Sequence, residues 1–155
     1  MRLEEKIAKN LITTKRTLAA AESCTGGLLC HTLTNIPGSS AFFILGVIAY
    51  DNMAKSKLLK VPARIIQTHG AVSAQVVGLM AQGVRSIHNT DFGIAITGIA
   101  GPTGGNKHKP VGLIYIAVCS KKNTVVKQFH FNGSRLQNKT LAKNAALRIL
   151  WGILA

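Results

Sequence analysis

The chain has 155 residues, 47% of them hydrophobic, which is enough for one substantial core and for a single domain spanning 1–155. Only 15% of residues are charged and mean hydropathy is positive, which excludes an extended disordered chain. Nineteen Lys and Arg against five acids give a formal net charge of +14, a surface that attracts anions and repels other basic molecules.

No apolar run reaches the 18 residues of a membrane span, and MRLEEKIAKN carries both signs of charge where a secretion signal needs an apolar stretch. Cys24, Cys30 and Cys119 are odd in number and lack C-x-x-C spacing, so reduced thiols and a cytoplasmic location are expected. The five histidines show no paired ligand spacing; neither a protein-bound metal nor another cofactor is expected. The basic residues are scattered from Arg2 to Arg148 without an aromatic-interleaved patch, so attraction for a small anionic ligand is favoured over a dedicated nucleic-acid site.

In chain order, Leu3, Ile7 and Leu11 recur at helical spacing, with Glu4 and Glu5 early and Lys15 and Arg16 late, the polarity that suits a helix dipole. TLAAA (17–21) predicts a short apolar strand that runs into the polar loop Glu22-Ser23-Cys24-Thr25-Gly26-Gly27, and LLCHTLTN continues as a helix. Pro37-Gly38-Ser39-Ser40 breaks the chain before FFILGVIAY (42–50), whose apolar, β-branched content predicts a second, buried strand. DNMAKSKLL (51–59) predicts a helix capped by Asp51 or Asn52 and ended before Pro62, and Ser73 predicts the cap of another, with Val76, Val77, Met80 and Val84 on one stripe.

FGIAIT (92–97) predicts a third apolar strand, followed by the glycine-rich loop 98–105. VGLIYIAV (111–118) and TVVKQFHF (124–131) predict a hairpin, the alternating second strand nearer an edge, and Ser134 predicts the cap of a closing helix. Strands alternating with helices and ending in a hairpin predict a three-layer α/β/α sandwich on a mixed, mainly parallel sheet. Ligands in such sheets bind beyond the carboxyl ends of the strands, where the loops 22–27 and 98–105 would both open. Glycine loops at helix starts offer backbone N–H groups to anions, although neither loop matches a dinucleotide or P-loop pattern and a plain tight turn accounts equally for each.

The segments AAESCTGGLL (20–29), NIPGSSAFF (35–43), GVIAYDNMAK (46–55), HGAVS (69–73), TGIAGPTGG (97–105) and KPVGLIYIA (109–117) occur together, in order, across nearly the whole chain. In this the sequence resembles the CinA C-terminal domain family and its stand-alone nicotinamide-nucleotide amidohydrolases. The resemblance implies hydrolysis of the carboxamide of nicotinamide mononucleotide to nicotinate mononucleotide and ammonia. It puts the nucleophile on Ser40 and its helpers on Tyr50 and Lys55. It puts substrate-binding positions on Ser23, Thr25, Gly26, Gly27, Thr97 and Gly98, and a phosphate contact on Arg135.

Metal-free amide hydrolysis needs a nucleophile, a base and oxyanion donors, and a desolvated lysine can act as the base. By residue type alone, a serine after Pro-Gly is ordinarily a turn former and a helical lysine a solvated charge. Glu22 could be a general base or a tether for the glycine loop, and Cys24 with His31 imitates a thiol nucleophile and base, although a small buried thiol is the commoner case. The family commonly has YSNEAK and GPDGG where this chain has Tyr50-Asp51-Asn52-Met53-Ala54-Lys55 and Gly101-Pro102-Thr103-Gly104-Gly105. The alternatives are a catalytically silent nucleotide-binding module of the same fold and, beyond it, a basic nucleic-acid-binding accessory protein. A symmetric homodimer is the default expectation for assembly.

Overall fold

The computed structural model describes residues 1–155 as six α-helices and five strands. The elements are α1 (Leu3–Thr13), β1 (Leu18–Glu22), α2 (Leu28–Thr34), β2 (Phe43–Ile48), α3 (Asn52–Leu59), α4 (Ala63–His69), α5 (Ala74–His88), β3 (Phe92–Gly98), β4 (Leu113–Cys119), β5 (Thr124–His130) and α6 (Arg135–Leu154), with a short 3-10 turn at Ser39–Ala41 before β2. The sheet order is β2-β1-β3-β4-β5. β1 is parallel to both neighbours, and the β3–β4 and β4–β5 pairs are antiparallel, so β4 alone runs against the other four.

Alternation along the central strands sorts side chains by size. Ile94, Ile96, Ile114, Ile116, Leu18 and Val118 pack on one face with α1, α2 and α6. Ala19, Ala21, Ala95 and Ala117 turn to the other face, under α3, α4 and α5. The small residues let α5 approach the sheet closely: a Cβ at Gly93 would collide with the Ala81 carbonyl on α5. The result is the expected three-layer α/β/α sandwich, each face of the sheet sealed by helices.

The predicted caps are where the sequence puts them. Asp51 accepts from Met53 N at 2.7 Å to open α3, Ser73 from Val76 N at 3.2 Å to open α5, and Ser134 from Gln137 N at 3.3 Å to open α6. α4, beginning at Ala63 directly after Pro62, was not anticipated; its seven residues are too few to show a period. A second difference concerns β2. Its wholly apolar sequence predicts a strand buried on both faces, whereas β2 is the outermost strand of the sheet, with Gly46 and Ile48 exposed. β5, the alternating strand, forms the other edge as expected.

All five acids are committed to local structure. Glu4 and Glu5 bracket Arg2, Asp51 caps α3, and Asp91 accepts from the N–H and hydroxyl of Thr17, tying together the amino ends of β1 and β3. Glu22, the fifth, belongs to the site.

Candidate active site

Where β1, β2 and β3 end, a cavity of about 340 Å³ opens beyond their carboxyl ends. It is lined by Ser23 and Cys24 after β1, Tyr50, Asn52 and Lys55 after β2, Ala71 and Val72 before α5, and Thr97–Gly101, Thr103 and Gly104 after β3, with Arg135 from α6. This is the crevice that a mainly parallel sheet provides for ligands.

At its floor, Lys55 on α3 is buried to 1% exposure and its Nζ donates to Ser23 Oγ at 3.2 Å and to the Tyr50 carbonyl at 3.0 Å. Burial pulls the lysine pKa below the usual 10.5, because water no longer solvates the ammonium; Asp51 and then Cys24 work weakly in the opposite direction. A buried amine whose neutral form burial favours thus stands against a serine hydroxyl, the two groups that metal-free amide hydrolysis by a serine requires.

The serine that meets Lys55 is therefore Ser23, in place of the expected Ser40. Ser40 is exposed on the 3-10 turn at the amino end of β2, about 16 Å of strand away from the carboxyl end where Tyr50 and Lys55 stand. Within one chain the two cannot meet. Tyr50 also differs from expectation: its hydroxyl accepts from Arg135 Nη2 at 3.1 Å, and only its main-chain carbonyl touches Lys55, so the phenol sits with the arginine at the rim and not on a proton path to the serine.

The two glycine loops have opposite fates. Glu22, fully buried, accepts from Gly27 N and Leu29 N at 3.1 Å each and from Cys30 N at 2.7 Å, so the first turn of α2 is capped internally. Gly26 and Gly27 take positive φ to make this turn and do not line the cavity, nor does Thr25, whose buried hydroxyl has no partner. Gly26, Gly27 and the Thr25 side chain, expected as ligand contacts, therefore stand outside the cavity lining. Of this loop, Ser23 and Cys24 reach the cavity; the N–H groups of Cys24 and Thr25, beside the Ser23 hydroxyl, make no hydrogen bond within the chain.

In the loop 98–105, by contrast, the N–H groups of Ala100, Gly101, Thr103 and Gly104 make no intramolecular hydrogen bond, and all four residues line the cavity. Arg135 reaches over them, its Nη1 donating to the Gly101 carbonyl at 2.7 Å, and the fully buried Asn138 fastens the loop through the Ala100 carbonyl at 3.0 Å. Unpaired N–H groups on both sides of Pro102, next to a guanidinium, are donors of the kind that anions use. Thr97 lines the cavity too, but its hydroxyl is spent on the Ala71 carbonyl at 3.0 Å, holding the wall in front of α5. Asn52, Ala71 and Val72 were not singled out from the sequence as site residues, whereas the backbone donors of 98–105 were, on a par with those of 22–27. Asn52 is hidden as the first residue of a helix.

Cys24 lines the cavity, but burial pushes its thiol up to about 12, and His31 faces away on α2 with Asn35 Nδ2 as its partner at 3.0 Å. The thiol–imidazole pair does not form. No three His, Cys, Asp or Glu side chains gather into a metal-binding group, and no helix is long and apolar enough to cross a membrane. Of the departures from the family pattern, Met53 is 60% exposed and outside the cavity, Asp51 replaces one good helix cap by another, and only Thr103 lines the site.

A model of the CinA C-terminal domain matches residues 1–154. A CinA-like protein of Syntrophus aciditrophicus is 48% identical over 154 residues, 99% of this chain and 37% of that protein, and one of Koribacter versatilis is 47% identical over 145 residues, 94% of this chain and 35% of that protein. The chain thus spans about a third of the length of these relatives. Among solved structures, the competence/damage inducible protein CihA of Agrobacterium tumefaciens superposes with a TM-score of 0.93 at 35% identity, covering 100% of this chain and 98% of that one. A competence-damaged protein (CinA) superfamily protein of Enterobacter cloacae gives 0.95 at 32% identity, covering 99% and 90%.

Proposed function

The chain belongs to the CinA C-terminal domain family, and from that premise we propose that it hydrolyses the carboxamide of nicotinamide mononucleotide, with Ser23 as nucleophile and Lys55 as its base. The observation that carries the reading is the contact between a buried lysine, its pKa lowered by that burial, and a serine hydroxyl at the floor of a cavity that Arg135 and unpaired backbone N–H groups line elsewhere.

The geometry translates into steps. Neutral Lys55 takes the Ser23 proton as Oγ attacks the carboxamide carbon. The oxygen that becomes negative lies within the neighbourhood of the Cys24 and Thr25 amides, the unpaired donors next to the nucleophile. Collapse of the tetrahedral adduct expels ammonia, which leaves with the proton held by Lys55, and a water deprotonated by the same amine then cleaves the acyl-serine ester. Arg135 and the amides of 100–104 hold the 5′-phosphate at the far end, and Tyr50 positions Arg135. A volume of about 340 Å³ suits a mononucleotide and leaves little for a second nucleotide.

The test is ammonia release on incubating the purified protein with nicotinamide mononucleotide, alongside a Lys55→Met control. Tight binding of the mononucleotide without turnover would instead support the catalytically silent module.

A further inference from the structure

The longest stretch of this highly charged sequence without a single Lys, Arg, Asp or Glu runs from Ser23 to Tyr50. It folds into α2, the Ser39–Ala41 turn and the whole of β2. β2 is an edge strand: β1 pairs with one side of it and no strand pairs with the other. Its sequence, FILGVI, carries neither a charge nor a proline, and the one irregularity in the strand is a register shift against β1 at Ile44. The opposite edge is guarded, since β5 carries the exposed Lys127 at its centre and Lys121 and Lys122 lie in the turn that leads into it.

An unguarded apolar edge templates another strand. In a chain of +14, two copies repel each other wherever basic surfaces meet, and the charge-free edge is the place where they can approach without that penalty. We propose that β2 pairs with β2 of a second copy, antiparallel about a two-fold axis at mid-strand, so that one continuous sheet runs through both.

The pairing has a consequence for the site. Antiparallel alignment sets the amino end of one strand beside the carboxyl end of the other. With Phe43 opposite Ile48, the 3-10 turn that carries Ser40 of the second copy lies beside the segment after Ile48, on the side of Tyr50 and the mouth of the cavity. The 53% exposure of Ile48 and 59% exposure of Tyr50 are then covered, and each copy's Pro37–Ala41 turn becomes an outer wall of the other's site. Ser40 comes to the mouth of the cavity from the neighbour, a route closed to it within its own chain.

Sedimentation velocity and static light scattering test the assembly without reference to activity. The expected result is a dimer whose dissociation constant falls as NaCl is raised from about 50 to about 500 mM, because screening relieves the repulsion of two +14 chains. Ile48→Lys, with melting temperature as a check on folding, should shift the population to monomer. For register, Phe43→Cys mixed with Ile48→Cys should form a disulfide-linked heterodimer under mild oxidation, while neither variant alone does so. A wild-type protein that stays monomeric across the salt range overturns the proposal, as does a dimer that neither Ile48→Lys nor the cysteine pair affects. A β2-paired dimer that releases no ammonia defeats the catalytic reading and leaves this one standing; an active monomer does the reverse.

Discussion

The loops 22–27 and 98–105 look equivalent in sequence: each follows an apolar strand, each is rich in glycine, and each opens at the same end of the sheet. Their amides are used in opposite ways. Those at the start of α2 close on a carboxylate supplied by the chain itself, Glu22, while those of 100–104 have no partner in the chain and stand under Arg135. A glycine loop at a strand end is therefore an anion site only if no internal anion has claimed its donors. Glu22 sets the two apart: it closes the first loop around the start of α2 behind Ser23 and leaves the unpaired donors to the second.

The sharpest test of that contrast is at the contact of Ser23 with Lys55. Ser23→Ala and Lys55→Met should each lower turnover of nicotinamide mononucleotide about 10³-fold or more, measured by ammonia release, because nucleophile and base act as one unit. Ser23→Ala activity near wild type would break the comparison. Next in size, Glu22→Gln turns an amide group toward three backbone donors and should cost about 2–3 kcal/mol, seen as a melting temperature lower by roughly 4–12 °C. An unchanged melting temperature would show that the cap is dispensable.

At the second loop, Arg135→Ala should raise KM for the mononucleotide about 10–100-fold with kcat little changed, and should leave the KM of the corresponding nucleoside, which lacks the phosphate, unaffected. Equal loss on both would remove Arg135 from the phosphate.

The pH dependence of Lys55 is smaller but has a definite sign. Burial favours its neutral form, so kcat should rise with pH to a plateau reached below the usual lysine range. The folded state carries a penalty for protonating this amine that is absent above the unfolded value of 10.5, grows as pH falls from there to the depressed folded value, and is full below it. Lys55→Met should thus melt no lower than the parent at neutral pH, with any stability advantage vanishing at high pH. The smallest effect is expected at Cys24→Ala, within about twofold of wild-type turnover, because a thiol held near 12 supplies no thiolate.

The parts of the fold legible in the sequence were those written in local chemistry. Asp51, Ser73 and Ser134 each accept a backbone N–H as a cap must, and the apolar runs at 18–22 and 92–98 are the central strands. Pattern misled at β2, because a strand without charges reads as buried whether it is covered by its own chain or only exposed at an edge. The site was half legible. Ser23, Lys55, Thr97, Gly98 and Arg135 all line the cavity, but telling which serine stands near Lys55 required knowing that Ser23 follows the carboxyl end of β1 while Ser40 precedes the amino end of β2. Backbone donors were expected in both glycine loops; that only those of 98–105 stay unpaired could not be read, since it depends on where the Glu22 carboxylate turns.

The commitment of every acid to local structure has a kinetic side. With Glu4, Glu5, Asp51, Asp91 and Glu22 all engaged, no carboxylate lines the cavity beside Arg135, and Asp51 is the one acid that acts on Lys55. On the reading proposed above, replacing a carboxamide by a carboxylate gives the departing nucleotide one more negative charge than the arriving one. The field that hastens capture would then retard escape, and product departure, more than bond cleavage, would limit each cycle. Added salt would act with opposite sign on the two ends of the cycle, slowing entry at low substrate and quickening turnover at saturation.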